Sequence, residues 1–511
     1  MPLLGSVGRK RPRARLAMAL LYGLLSVGAL TTVYPFAAML MTGFKGPTDQ
    51  NDDQLIPAYW TSDSALFAKY VDDKYAGDAT EIAGSRSGSA SSDLVSRYQA
   101  FLAQLPEGYW TAGFQLAPNQ VTSRLDERYV GWLRSRFANI DELDRAYSEQ
   151  DLAFQTVTPP FETLSRKNWL PESGRKYADW LIFKATLGPE FRLPVRETRM
   201  YQEFLRSKYR GSFSAVPGAA RGGATSFETV SLPAGGALLA DFRASWLPER
   251  YRARSAEDLW HAWAGRDVPM PIEAFEQAEV RRDAGSLRRG FAWRNYGYVL
   301  DYILLNGRSL WNTLIFCLLA IATQLTVNPL AAYALSRFPI RASGRILLFL
   351  LATMAFPAEV AMIPAFLLLK QLGLLNTFAA LVLPTAASGY MIFLLKGFFD
   401  SLPGELFEAG QIDGASETTL MARIALPMSR PVLGYLALLA FLGAYGSFIY
   451  AFLVVQDQRM WTLMVWLYEL QTTAPRAVVM AALTLSAVPT LIVFLLCQRV
   501  IMRGVIVPIE K

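Results

Sequence analysis

The sequence predicts an all-α polytopic membrane protein that carries a mainly helical domain on the outer face of the bilayer. Three observations predict it. Six apolar runs are free, or nearly free, of charge and long enough to cross a hydrocarbon core of ~30 Å, which takes about 20 helical residues. Positive charge gathers on alternate connections between these runs. About 260 residues separate the first run from the second, far more than a connection between helices requires. The 511 residues are 52% hydrophobic and only 18% charged, which excludes an ordinary soluble protein of this size.

The N-terminal residues 1–15 are basic, with Arg9, Lys10, Arg11, Arg13 and Arg15 in "GRKRPRAR". The first run, Leu16–Met41 within a segment 16–42, lacks a small-residue cleavage site and is too long for a signal core, so it reads as a retained anchor. The others are Leu310–Leu335, Ile346–Leu369, Phe378–Leu395, Val432–Val455 and Val478–Cys497, spans two to six of a membrane domain over 306–502. Only helices and closed barrels satisfy backbone polar groups in lipid, and continuous apolar runs mean helices. Arg337, Arg341 and Arg345, then Lys396, Arg423 and Arg430, then Arg499, Arg503 and Lys511 fall on one side if there are six spans. By the positive-inside rule that side, with both termini and the tail 503–511, is cytoplasmic. Anchoring at a lipid surface accounts for much of the net charge of +7, with no need for nucleic acid.

Residues 43–305 then form an extracytoplasmic domain between helices 1 and 2. Cys317 and Cys497, the only cysteines, both lie in apolar runs, so this domain is held by its own core without a disulfide. Gly and Ser concentrate in surface loops at 83–92 and 218–225. A loose repeat of aromatic, aliphatic, two variable residues, base and aromatic recurs as "YVDDKY" (70–75), "WLRSRF" (132–137), "FLRSKY" (204–209) and "WLPERY" (246–251). It reads as amphipathic helix with the aromatics facing a core, or as a helical module presenting aromatics to a sugar. Around "WLRSRFANIDELDRAY" the chain resembles a short segment of bacterial β-galactosidases, which brings no catalytic carboxylate pair.

The chain offers no catalytic or metal-binding set. His261 is the single histidine, and zinc or histidine-based nucleophilic chemistry needs more than it and two lipid-embedded cysteines. No phosphate-cradling G-x-x-x-x-G-K-[ST] occurs. One acid stands out within an apolar run, Glu359 in "MAFPAEVAMIPAF". Ionisable groups at such positions face a cavity or a partner, and Pro357 and Pro364 on either side each remove a backbone donor. These three residues read either as a bend lining a gated pathway or as a water-reached group near its outer mouth.

The stretch 406–427, "LFEAGQIDGASETTLMARIALP", is polar and turn-broken between two apolar runs. Leu402–Ile412 predicts a short helix with Ser401 as N-cap, Asp413-Gly414 a turn, and Ser416 the cap of a second helix ended by Pro427. Leu420, Met421 and Ile424 share a face of that second helix, and a partner protein supplies the groove for it.

Glu408, Ala409 and Gly410, then Gly414, then Ile424, Leu426 and Pro427 resemble the signature loop of bacterial ABC importer permeases, in which Ala is usual where Gly410 stands. "WNTLIF", "LAAYALSRFPIRASGR", "GLLNT" and "SLPGELFEAGQIDGAS" are similar to the maltose-permease-like, carbohydrate-transporting branch of that family, over about residues 308–500 plus the first span. Three features depart from it: Tyr445-Gly446 where Trp-Asn is usual, the tail "MRGVIVPIEK", and the large insert.

The resemblance implies the six-helix ABC importer permease fold and a transport subunit that is not itself an enzyme. ATP and Mg would be held by a separate cytoplasmic ABC ATPase dimer, engaged through a coupling loop at 400–430 in which Glu408 makes the charged contact and Gly414 allows the turn. A second homologous permease subunit would complete the pathway, and an extracytoplasmic substrate-binding protein would deliver a sugar or oligosaccharide. The departures at Tyr445 and Gly446 bear on the solute. The competing reading is a membrane-anchored carbohydrate-binding or carbohydrate-active protein, whose isolated outer domain would act on a glycoside.

Overall fold

The computed structural model describes residues 12–503 apart from 53, 78–81, 83–90, 117–119, 152, 267, 307 and 356. Arg9, Lys10, Arg11, most of the 83–92 loop and residues 504–511 therefore lie outside the described residues. So do the side chains of Arg13, Arg15, Glu359, Arg499 and Arg503. The chain is mostly helical and divides into two compact units, Met1–Tyr298 with Ala474–Ala481, and Val299–Thr473 with Ala482–Lys511.

The first unit opens with α1, Pro12–Gly43, which contains Pro35. Leu20, Leu24, Leu30 and Phe36 around its circumference are exposed. A helix apolar on all sides has no face for water and belongs inside a larger protein core or a membrane. After it come α2 (Asp63–Lys74), α3 (Ser92–Gln104), α4 (Arg124–Arg136), α5 (Ile140–Tyr147) and α6 (Arg175–Ala185). They are followed by α7 (Glu197–Lys208), α8 (Ala237–Ser245), α9 (Ala256–Ala264) and α10 (Ile272–Tyr298). The strands found among the described residues are β1 (Trp110–Ala112) and β2 (Arg192–Pro194), antiparallel with Trp110 opposite Pro194. The end of α1 is tied to α10: Asn295 Nδ2 donates to the carbonyls of Gly43 at 2.9 Å and Lys45 at 2.7 Å, and the Tyr296 hydroxyl donates to Leu40 O at 2.7 Å.

Two aromatic cores hold this unit without a disulfide. One gathers Tyr59, Tyr98, Trp110, Tyr129, Trp180 and Trp260, and the other packs Tyr201, Phe204, Phe242 and Tyr251 around α7. Edge-to-face pairs recur, such as Tyr98 on Trp260 with centroids 5.4 Å apart, the arrangement ring quadrupoles favour. Three copies of the repeat end helices, with Tyr75, Phe137 and Tyr209 at the C-caps of α2, α4 and α7. The fourth straddles a break, because Pro248 caps a new turn after α8. In the three helical copies the base pairs with an acid on a later helix: Lys74 with Glu276 at 2.6 Å, Arg136 with Asp179 at 2.8 Å, and Lys208 with Asp241. Tyr70, Tyr75, Phe137 and Phe204 are buried, so these aromatics serve the cores.

In the second unit α11 (Ser309–Arg337) is one long helix through Pro329. Three of the expected spans are broken rather than continuous. The Ile346–Leu369 run forms α12 (Ser343–Thr353) and α13 (Ala358–Gln371), because Pro357 lacks an N–H and disfavours helix before it. The Phe378–Leu395 run forms α14 (Phe378–Val382), a turn at Leu383–Thr385, and α15 (Gly389–Asp400), bent by 51°. Buried Asn328 satisfies the backbone exposed at that bend, its Oδ1 accepting from Ser388 N at 2.8 Å. A Cβ at Gly389 would stand 2.3 Å from Leu350 O, so only glycine lets α12 approach.

The short helix α16 (Gly404–Ile412) and then α17 (Glu417–Met428) follow. The Val432–Val455 run forms α18 (Arg430–Tyr445) and α19 (Ile449–Val454), parted at Gly446–Phe448, followed by α20 (Leu463–Thr473). The last helix, α21 (Arg476–Arg503), is unbroken, with its residues up to Ala481 belonging to the first unit and the rest to the second. Three helices among the described residues are long and apolar enough to cross a membrane, or up to five if the bent pairs α14–α15 and α17–α18 are each one span.

Family-type motifs have local tasks here. In "WNTLIF" Asn312 Nδ2 donates to Arg459 O at 2.9 Å and Trp461 O at 3.1 Å, and Thr313 Oγ1 accepts from Leu463 N at 2.8 Å. In "GLLNT" Asn376, at φ +59°, accepts from Gln456 N and Asp457 N, while Thr377 caps α14. Both motifs pin the segment 454–463 against helices distant in sequence.

Candidate functional site

The segment 404–428 is a helical hairpin. α16 begins at Gly404 after Pro403, two residues later than the sequence suggests. Ser401 does not cap it, since its hydroxyl donates back to Phe398 O at 2.7 Å and closes α15. The turn is as the Asp413-Gly414 pair predicts. Gly414 takes φ +77°, its N–H donates to Gln411 O at 3.0 Å, and Ala415 N donates to Gly410 O at 2.9 Å. These paired bonds satisfy the last carbonyls of α16 and require the left-handed conformation glycine adopts without strain. Ser416 Oγ accepts from Thr419 N and caps α17.

Pro427 does not end α17, which runs on to Met428. The helix widens instead to π geometry over Met421–Ala425, with Leu426 N donating to Met421 O. One wide turn accommodates a ring that would otherwise collide with the carbonyl four residues earlier. α17 then meets α18 at 82°.

The hairpin's base is locked to its own chain. Arg337, at the end of α11, donates through Nη2 to Phe399 O at 2.6 Å and Leu402 O at 3.3 Å. Its guanidinium lies 3.8 Å from the ring centre of buried Phe407. One side chain thus satisfies carbonyls at the end of α15 and stacks on α16, geometry that a planar fork permits. The Tyr333 hydroxyl donates to Glu417 Oε2 at 2.9 Å, and Gln411 Nε2 donates to Glu417 Oε1 at 3.2 Å, which links α11 and both arms.

Leu420 is 1% exposed within a core that includes Tyr333, Phe399 and Phe407. The expected groove for the apolar face of α17 is therefore largely internal. Met421 and Ile424 are half-buried against the same core, as is Leu426, and Pro427 is half-buried. Gly410 explains how the arms come so close: a Cβ there would stand 2.5 Å from Leu420 Cδ2.

What the hairpin leaves outside is its tip and outer edge. Glu408, Ala409, Asp413 and Gly414 are exposed, and Ile412 is 87% exposed. Leu406 and Met428 are exposed too. A bare isoleucine beside Glu408 and Asp413, on a backbone fixed by caps at the turn and by Arg337 at the base, is a rigid projection with an apolar point and acidic flanks. The residues that sequence reasoning missed are Tyr333, Arg337, Phe407 and Glu417. The first two stand in "LAAYALSRFP", where their periodicity is that of any helix and nothing local announces their distant partners.

The residues expected near a pathway are divided between helices. Pro357 caps α13 and Pro364 lies inside it without breaking it. Glu359 is in the first turn of that helix, its side chain outside the described residues. Tyr445 ends α18, buried, with its hydroxyl donating to Ser486 O at 2.5 Å, and Gly446 is the cap at which α18 stops.

Residues 328–507, which contain the whole hairpin, match the family described as binding-protein-dependent transport system inner membrane component. The chain is 32% identical over 198 residues to the probable ABC transporter permease protein YurM of Bacillus subtilis (strain 168), which covers 38% of this chain and 66% of that protein. It is 31% identical over 205 residues to the sn-glycerol-3-phosphate transport system permease protein UgpE of Rhizobium meliloti (strain 1021), covering 39% and 72%. The chain thus spans just under two thirds of the first relative and somewhat more of the second. Among solved structures, a bacterial ABC transporter involved in the import of the acidic polysaccharide alginate is similar at 27% identity and TM-score 0.37, over 40% of this chain and 78% of that one.

Proposed function

This chain belongs to the binding-protein-dependent transport system inner membrane components, and from that premise we propose that it is one permease subunit of an ATP-driven importer, coupled to a cytoplasmic ATPase through the hairpin 404–428. The observation that carries the reading is the contrast between the hairpin's locked base and its bare tip. A lever must transmit displacement without bending. Arg337 and Tyr333 join this one to α11, so force at Ile412 and Glu408 would reach the long central helix directly.

In this reading the chain holds no nucleotide. ATP and Mg sit on an ABC ATPase dimer that grips this hairpin and the equivalent one of a second, homologous permease subunit. Glu408 supplies the charged contact, Ile412 the apolar one, and Gly414 the turn that presents both. The broken helices α12–α13, α14–α15 and α18–α19 each act as one crossing, which with α1, α11 and α21 gives six. Both termini are cytoplasmic and the insert 43–305 is extracytoplasmic. There a substrate-binding protein delivers a sugar or oligosaccharide, and the breaks at Pro357, with Glu359 and Pro364 following, and at Tyr445-Gly446 flank its route.

The test is co-expression with a candidate ABC ATPase from the same genome and the substitution Glu408→Lys. Loss of ATPase association together with loss of uptake, at unchanged membrane abundance, is the expected result. Survival of both would end the assignment of this hairpin.

A further inference from the structure

The insert holds a basic cleft that nothing in membrane coupling accounts for. Its volume is about 840 Å³, of the size that takes a small-molecule ligand. One wall is the face of α7, where Arg199, Glu203 and Arg206, at spacings of four and three residues, share one side of the helix, with Arg196 at its N-cap. The other wall is the turn at Arg166 and Lys167. Among the described residues the lining carries those five basic side chains and one acid, Glu203.

Glu203 is already engaged, with Arg199 and Arg206 each 3.3 Å away. Lys167 Nζ rests on a neutral carbonyl, Ser245 O at 3.1 Å, and no carboxylate among the described residues pairs with it or with Arg166. Arg206 is shared with Glu228 as well, so the positive charge the cleft offers a ligand centres on Arg166 and Lys167. A concave surface with an excess of one sign focuses its field and concentrates counter-ions of the other. The ligand it attracts is an anion.

The rest of the lining narrows the class. Half-buried Trp246 stands at the cleft, its ring fixed edge-on against Phe204 with centroids 6.0 Å apart. A flat ring of this kind offers a platform to the C–H face of a sugar. Ser165, Asn168 and Thr111 add neutral hydrogen-bonding groups suited to hydroxyls. We propose that this cleft is a recognition site for an acidic saccharide, charged through carboxylate or phosphate ester, with Arg166 and Lys167 meeting the charge and Trp246 the ring. The assignment concerns the insert alone. It survives if the hairpin touches no ATPase, and a binding assay without ATPase or nucleotide keeps the two apart.

The experiment uses the full-length chain in lipid nanodiscs and titration calorimetry. The probes are tetragalacturonate, glucose 6-phosphate, neutral maltotetraose and tetraglutamate. Saturable binding of at least one acidic sugar is expected, weakened by raised salt as exposed charges are screened. Maltotetraose and tetraglutamate should each bind at least ~10-fold more weakly, the scale of a lost charged hydrogen bond or a lost ring contact. Which acidic sugar binds more tightly tells carboxylate from phosphate.

The paired substitution Arg166→Ala, Lys167→Ala removes exposed side chains and should weaken the acidic sugar ~10-fold or more while leaving the melting curve in place. Trp246→Ala should weaken it as well. No binding of either acidic sugar overturns the assignment. So does equal binding of maltotetraose or tetraglutamate, or undiminished affinity in the folded double variant.

Discussion

Gly410→Ala probes how tightly the two arms of the hairpin meet. The new methyl would stand 2.5 Å from Leu420 Cδ2 and 3.6 Å from Ile424 Cδ1. Alanine favours helix over glycine by about 1 kcal/mol, while a methyl forced into a filled core costs about 1–3 kcal/mol. Leu420, 1% exposed, sits in that core, so the net effect in the native background is a destabilisation of about 0–2 kcal/mol. Leu420→Ala alone should cost about 2–5 kcal/mol for the cavity it leaves. In the double variant the cavity receives the methyl and the collision disappears. Gly410→Ala then stabilises by its propensity of about 1 kcal/mol, and the two changes are coupled by about 1–3 kcal/mol. Hydrogen exchange at the amides of α16 and α17 reads the local opening free energy directly, which global melting of a two-unit chain does not. Additivity of the two substitutions within about 0.5 kcal/mol would show that Gly410 is not held by close approach, and the packing argument would fail.

Other consequences are measurable in the same protein. Arg337→Lys keeps the charge but loses the fork and the stacking on Phe407, so hairpin amides should lose about 1–3 kcal/mol of protection while the first unit is unaffected. Lys74→Met removes the cation paired with buried Glu276 and leaves the Tyr75 hydroxyl donating to it. That should destabilise the first unit by about 3–5 kcal/mol, and adding Glu276→Leu should restore most of it; no recovery would mean the pair is not the cause. Burial pushes the Asp126 carboxyl from its ordinary 3.8 up to about 7, with Glu127 adding repulsion. Its folded form favours the proton, so that contribution is whole below pH ~4 and is lost as pH rises through about 7, on the order of 4 kcal/mol. Asp126→Asn should therefore raise the melting temperature relative to the native chain at pH ~8 but not at pH ~4, and an equal difference at both would contradict the shift.

The long apolar helices α1, α11 and α21 were legible because hydropathy reports which residues avoid water. It does not report whether the backbone stays helical, so the breaks in three other runs were not. Pro357 signalled one of them locally. The bend before Gly389 depends on Asn328, sixty positions away, whose amide replaces the missing backbone partner. In the hairpin the turn at Asp413-Gly414 and the cap at Ser416 were readable, because both are satisfied within a few residues. The start of α16 was not, since Ser401 bonds backwards to Phe398 instead of forwards. The apolar face of α17 looked like a docking surface because one sequence cannot say that Tyr333 and Phe407 already cover Leu420. Three copies of the aromatic repeat ended helices as a face-to-core pattern should, and Pro248 displaced the fourth. The basic cleft joins residues 165–168, 193–206 and 245–246, and only tertiary folding brings them together.

The central claim is that the bare tip of the hairpin touches an ATPase. A photoreactive phenylalanine derivative in place of Ile412 tests it in native membranes, with the candidate ABC ATPase co-expressed. The same probe in place of Leu420, buried against this chain's own core, is the control. The account predicts a crosslink to the ATPase from position 412 and an internal product from position 420. Failure of position 412 to capture the ATPase, in a complex that still takes up solute, would contradict it.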